Sequence, residues 1–277
     1  MKRFGFLSWA LWFGYAFLYV PIVLLIVYSF NESRLVTVWG GFSAKWYGEL
    51  LNNAELLGAA WLSLKVAATT ATFAVVLGTL GGLALSRFGR FRGRTLFGGM
   101  ITAPLVMPDV IIGLSLLVLF VALEQMIGWP AGRGVTTITI AHTTFAMAYV
   151  AVIIQSRLSG MDESLEEAAM DLGARPAKVF FVITLPLIAP AIVSGWLLAF
   201  TLSLDDVVVA SFVSGPGSTT LPMVIFSSVK FGVSPQINAL ATLMMLIVAT
   251  GIFIASVVMA RQEAQRKRDE QMAMQGG

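Results

Sequence analysis

The amino-acid sequence predicts an all-α polytopic membrane protein with six transmembrane helices and both termini in the cytoplasm. Three observations carry this. Of 277 residues, 57% are hydrophobic and 12% are charged, whereas about a quarter of a soluble domain's residues carry charge. The apolar residues fall in long continuous runs, which suit helices with internally satisfied backbones and not the short alternating strands of a membrane barrel. The Lys and Arg residues cluster at alternate connections between those runs.

About twenty apolar residues cross the hydrocarbon core, and six stretches qualify, at about 7–30, 57–86, 96–123, 135–157, 187–213 and 236–260. The first follows Lys2 and Arg3 as a signal peptide would. Its apolar run is too long for a signal core and no small-residue cleavage site follows, so it reads as a retained anchor. With the N-terminus inside, the two ends and the loops near 87–95 and 158–186 hold Lys2, Arg3, Arg87, Arg90, Arg92, Arg94, Arg157, Arg175, Lys178, Arg261, Arg266, Lys267 and Arg268. The opposite side holds Arg34, Lys45, Arg133 and Lys230, with Lys65 near the start of the second span. That asymmetry fixes the expected orientation. It also explains the net charge of +3 without a nucleic-acid partner, since basic residues at helix ends meet anionic lipid headgroups.

Outside the membrane, 31–56 reads as a longer outer loop carrying Trp39, Trp46 and Tyr47, and the Gly-, Ser- and Pro-rich 214–235 as an irregular outer connection. The polar tail from Arg261 is expected to fray beyond its first turns. One transmembrane domain is expected over 1–277, with neither a soluble domain nor an internal repeat. Without a cysteine, disulfides and thiolate metal sites are excluded. The single histidine, His142, lies in an apolar stretch and reads as a structural hydrogen-bonding group, with proton transfer the alternative; no metal site is expected.

The connection 158–186 is the most informative segment. Asp162 or Ser164 suits a helix cap, and Ser164 with Glu167 has capping-box spacing. Acids crowd the first turns, where the helix dipole favours them. Gly173 suits a left-handed stop and Pro176 the first turn of a second helix. A helix–turn–helix bracket results, both arms continuing into spans. Glu167-Ala168-Ala169, then Gly173, then Ile183-Thr184-Leu185-Pro186 resembles the "EAA" signature of ABC-importer permeases. The resemblance implies a type I importer permease fold, in which this helix couples to a cleft of an ATP-binding subunit. Small Ala168 and Ala169 would permit close approach and Glu167 would offer a carboxylate. An ordinary amphipathic interfacial helix is the plainer alternative. The chain carries no G-x-x-x-x-G-K-[ST] phosphate loop, so ATP and Mg are expected on a separate subunit, and this chain is expected not to be an enzyme.

Three acids fall within the predicted spans: Asp109, Asp205 and Asp206. Ionisable groups there are costly and face a pathway or a partner. At ~1.5 Å per residue, Asp109 lies about 20 Å along the third span and Asp205 and Asp206 about 27–28 Å along the fifth, all in the outer half. Pro104 and Pro108 precede Asp109 and loosen its helix. Adjacent Asp205 and Asp206 differ by about 100° on a helix, so one is expected to face the pathway and the other to brace a neighbour. A path lined by carboxylates prefers a cation, and a linear polyamine with spaced ammonium groups fits. Trp46 could add a cation–π contact or simply sit in the interfacial belt. Ser203 could bond an amine or its own helix, and the acids could instead cap helix ends or bridge subunits.

Over nearly its whole length, through 35–50, 101–117 and 194–222, the chain resembles inner-membrane permeases of bacterial polyamine ABC importers, the putrescine-transporter permease above all. This implies a second permease subunit, two copies of an ATP-binding subunit, a periplasmic polyamine-binding protein and surrounding membrane lipid as partners, in the bacterial inner membrane. It also implies uptake roles for Trp46, Asp109, Glu167, Ser203, Asp205 and Asp206. Other solutes such as sulfate, iron or an amino acid, an ATP-independent secondary transporter or channel, and a non-transporting scaffold are the competing readings. Unpaired acids disfavour anions, and a secondary transporter has no use for an ATPase-docking signature.

Overall fold

The computed structural model describes residues 2–35, 38–231 and 235–275. In chain order the helices are α1 Lys2–Tyr28, α2 Lys45–Leu51, α3 Ala54–Arg87, α4 Arg94–Thr102, α5 Asp109–Ile127, α6 Val135–Ser159, α7 Ser164–Asp171, α8 Pro176–Val179, α9 Leu185–Leu204, α10 Val208–Val213, α11 Leu221–Phe231 and α12 Pro235–Gln275. Six of the described helical stretches are long and apolar enough to cross a membrane: Gly5–Tyr28, Ala54–Arg87, Asp109–Ile127, Val135–Ser159, Pro176–Leu204 and Pro235–Arg261. The chain forms two compact units, Met1–Leu57 with Ile225–Gly277, and Gly58–Val224.

In the first unit α1 packs on α12, and α1 leaves large side chains such as Phe6, Trp12 and Phe17 about 70% exposed, a surface suited to lipid. The segment after α1 is more ordered than a plain loop. Buried Asn31 accepts the Gly40 amide at 2.8 Å on Oδ1 and donates from Nδ2 to the Val38 carbonyl at 2.8 Å. An isolated antiparallel bridge joins Asn31 to Phe42, and α2 follows. α2 is tied to α12 through Gln236, which accepts from Asn53 at 3.0 Å and donates to Glu49 at 2.9 Å. The tail expected to fray continues as helix to Gln275, because its Gln, Glu, Ala, Arg, Lys and Met residues are strong helix formers. The connection expected to be irregular near 214–235 contains α11.

The second unit is built on α3, α6 and α9. α6 and α9 run antiparallel in a register pinned at both ends and the middle. His142 meets Ser203, Val150 meets Gly195, and Arg157 donates to the Leu187 carbonyl at 3.2 Å from Nη2. α3 also lies against α6, with Gly78 and Gly82 at the contact. A Cβ on Gly78 would stand 2.7 Å from the Val150 Cβ, and one on Gly82 2.9 Å from the Ala151 carbonyl oxygen. In lipid, where burial of apolar surface drives little association, such small-residue pairs let backbones close up. The core between them holds Val66, Ala74, Ile138, Ile154, Leu158, Ile188 and Val209.

Two expected spans are interrupted. The third, anticipated as one helix over 96–123, is α4, a short 3-10 turn at Ala103–Leu105, and then α5. Pro104 and Pro108 each lack an amide donor, so the ladder cannot run through, and Asp109 opens a helix instead of lying 20 Å along one. The fifth, anticipated over 187–213, stops at Leu204 and resumes as α10, with Asp205 and Asp206 at the break.

Candidate functional site

The first site is this break after α9. Asp205 caps the end of α9, its amide donating to the Thr201 carbonyl at 3.2 Å, and its side chain is exposed. Asp206 turns inward. Its Oδ2 accepts the Ala210 amide at 2.7 Å and its Oδ1 the Val209 amide at 3.3 Å, so it caps α10. Oδ2 also lies 3.1 Å from Nε2 of His142, and Nδ1 of His142 lies 2.7 Å from the Ser203 hydroxyl. A carboxylate that already accepts from two amides makes Nε2 the donor, and Nδ1 of a neutral ring then accepts from Ser203. His142 is fully buried and Ser203 nearly so, so each polar group there requires its partner.

The two adjacent aspartates therefore divide the work. Asp206 braces the break through His142 while Asp205 is exposed, a division that arises at a helix end and not from the 100° turn of a continuous helix. Asp109 lies in the first turn of α5, exposed, where the helix dipole favours an anion. The break joins α5 closely: a Cβ on Gly113 would stand 2.6 Å from the Phe212 ring, so α10 lies directly on α5. Trp46, in the first unit, is buried. Its indole N–H donates to the Asn31 carbonyl, and the Lys45 ammonium lies 4.7 Å from its ring centroid.

The second site is the bracket at the opposite end of α9. Gly173 adopts φ +86°, and the amides of Gly173 and Ala174 close onto the Met170 and Ala169 carbonyls at 2.8 and 3.0 Å, a left-handed helix stop. Pro176 begins α8. The capping box does not form. Ser164 is the first helical residue and Glu163 precedes it with no side-chain cap, while Asp162 accepts the Ser164 amide at 3.0 Å in a local turn. That turn holds the Asp162 carboxyl below its usual pKa. Glu167 and Ala168 are exposed and Ala169 half-buried. Leu165, Met170 and Leu172 also face out, Leu172 at 90% exposure. Half-buried Ile183 lines a cavity of about 520 Å³ with Ala169, Leu172, Gly173 and Arg175.

Between α8 and α9, Phe180–Thr184 is a π-helical turn, with the Leu185 amide reaching back to Phe180. Pro186 has no amide to give to Val182, and the wider turn absorbs the missing bond; such turns recur at functional positions. Leu185 is half-buried and Pro186 exposed. Sequence reasoning missed the polar clamp beside this turn. Arg87, at the end of α3, donates from Nη1 to Glu163 at 2.7 Å and from Nε to Glu166 at 2.9 Å, while the Thr184 hydroxyl donates to Glu166 at 2.8 Å. The sequence marks His142 as a structural group but not its partners, Ser203 and Asp206.

Residues 74–268 match the family of binding-protein-dependent transport system inner membrane components. The chain belongs to this family. It is thus an inner-membrane permease subunit and not an enzyme. This inner membrane component is 65% identical over 263 residues to the putrescine transport system permease protein PotI of Escherichia coli strain K12, covering 95% of this chain and 94% of that one. It is 46% identical over 251 residues to the spermidine/putrescine transport system permease protein PotC of the same strain, covering 91% and 92%. Among solved structures, a chain of a bacterial ABC transporter that imports the acidic polysaccharide alginate superposes with a TM-score of 0.67 at 18% identity, over 92% of this chain and 96% of that one. The last likeness establishes a shared fold.

Proposed function

We propose that this permease subunit carries linear polyamines into the cell, putrescine first and spermidine second, by alternating access within an ATP-driven complex. The observation that carries it is the pair of exposed carboxylates, Asp109 and Asp205, each at a break in a span, beside a third acid whose partners are already satisfied. A free carboxylate at a helix break suits a mobile ammonium group; an anion would be repelled there. The 65% identity to a putrescine permease supports the same substrate class.

In this reading Asp205 and Asp109 face the passing amine, whereas Asp206 and Ser203 hold the break through His142. Trp46 supports the segment between α1 and α2, its indole N–H and one ring face being occupied within the chain. The bracket faces the cytoplasm, as the basic residues at that end of the spans favour, and both termini lie on that side. α7 docks an ATP-binding subunit through Glu167, Ala168 and its exposed apolar side chains. A second permease completes the pore, two copies of the ATP-binding subunit hold ATP and Mg, and a periplasmic polyamine-binding protein delivers substrate.

Labelled putrescine uptake by the reconstituted complex tests the substrate. Asp205→Asn should raise KM with the complex intact. Uptake of an anionic or uncharged solute in place of polyamines would overturn the reading.

A further inference from the structure

We propose that Arg87 is the positioning residue that makes α3, α7 and the start of α9 move as one body when an ATP-binding subunit pushes on α7. This rests on the reading of α7 as the docking helix. None of α7's residues, all of them described, is buried. Only Glu166 and Ala169 are even partly buried, so the ends of α7 and its polar contacts carry more of its orientation than packing does. At its C-terminal end lies the Gly173 turn, around which a Cβ would meet no described atom within 4 Å. Toward its N-terminal end lies the clamp.

The clamp crosses three elements in one continuous chain of bonds. Thr184, in the π-helical turn leading into α9, donates to one oxygen of Glu166; Arg87, closing α3, donates to the other and also to Glu163. Arg87 and Glu166 side chains are only 12% and 13% exposed, whereas Glu163 is 61% exposed. The Arg87–Glu166 bond is therefore partly shielded from water and salt, which strengthens it against a lateral push. Arginine fits this role because its planar fork holds two carboxylates at once, which a lysine ammonium on a flexible stem does not. Arg87 Nη2 is buried without a hydrogen-bond partner among the described residues, so the guanidinium is held by these two acids alone.

Without the clamp, a displacement of α7 would be taken up by the Gly173 turn and the π-helical turn before reaching either span. With it, the displacement passes into α3 directly and into α9 through Thr184. α9 then carries it to Asp205 at its far end.

The test compares substrate moved per ATP hydrolysed in liposomes holding the complete complex. Arg87→Ala should leave the ATP-binding subunits attached and ATP hydrolysis near wild type, but cut putrescine moved per ATP by about tenfold, as loss of a coupling interaction does. Arg87→Lys should recover part of that loss. Thr184→Val keeps the ion pairs, removes only the hydroxyl, and should lose a smaller factor. Should Arg87→Ala fail to assemble, the other two variants decide. A wild-type ratio in each assembled variant overturns the role of Arg87. Failure of the ATP-binding subunits to attach to the wild-type chain would instead overturn the docking reading beneath it.

Discussion

His142 Nε2 lies 3.1 Å from Asp206 Oδ2, joining α6 to the helix break after α9. The same imidazole meets Ser203 with its other nitrogen, so one side chain fixes both sides of the break and leaves Asp205 free.

Removing that imidazole should destabilise the protein. His142→Ala leaves Asp206 and Ser203 each short of a buried partner, at a cost of about 1–3 kcal/mol. Thermal unfolding of the purified chain in detergent should show a lower midpoint, and His142→Gln, which keeps one hydrogen bond, a smaller drop. Equal midpoints for wild type and His142→Ala would remove the brace.

The adjacent aspartates should separate in the same assays. Asp206→Asn weakens the α10 cap and the His142 contact, and should lower the unfolding midpoint by the equivalent of about 1 kcal/mol or more. Asp205→Asn should leave the midpoint unchanged and weaken putrescine uptake through KM. The opposite pattern would exchange their roles.

Close approach of α3 and α6 predicts a steric cost. Gly82→Ala places a methyl 2.9 Å from a backbone oxygen, and overpacking of this kind costs about 1–3 kcal/mol. Gly99→Ala, whose Cβ would meet no described atom within 4 Å, should be neutral or slightly stabilising because alanine favours helix. Thermal unfolding of the two variants checks the difference.

At the bracket, Gly173→Ala forces a side chain into φ +86°, at about 1–2 kcal/mol. Attachment of the ATP-binding subunit should weaken more than stability falls, because the strain is local to α7. Glu167→Ala, at an exposed position, should leave stability unchanged and weaken the same attachment. Co-purification at rising salt measures both.

The spans were legible because about twenty apolar residues leave a backbone few options in lipid. Their interruptions were only half legible. Pro104 and Pro108 announced a loosened helix, but nothing local at Leu204 announced a stop; the Asp206 cap and His142, 64 residues away in sequence, decide it. The Gly173 stop and the Pro176 start followed from backbone chemistry and formed as expected. The capping box failed because the helix begins at Ser164 itself, while the neighbouring Glu163 and Glu166 turn to Arg87, 79 residues from Glu166. Residue types foretell what a group needs, not which distant element supplies it. Gly78 and Gly82, four apart in a span, were a readable small-residue signal for close helix packing.

ATP-dependent uptake of labelled putrescine into liposomes holding both permeases, the ATP-binding subunits and the binding protein bears most directly on the proposed function. Uptake should require ATP, fall with Asp205→Asn and compete with spermidine more weakly than with unlabelled putrescine. Uptake that proceeds without the ATP-binding subunits, or ATP-driven transport of a non-polyamine solute alone, would contradict it.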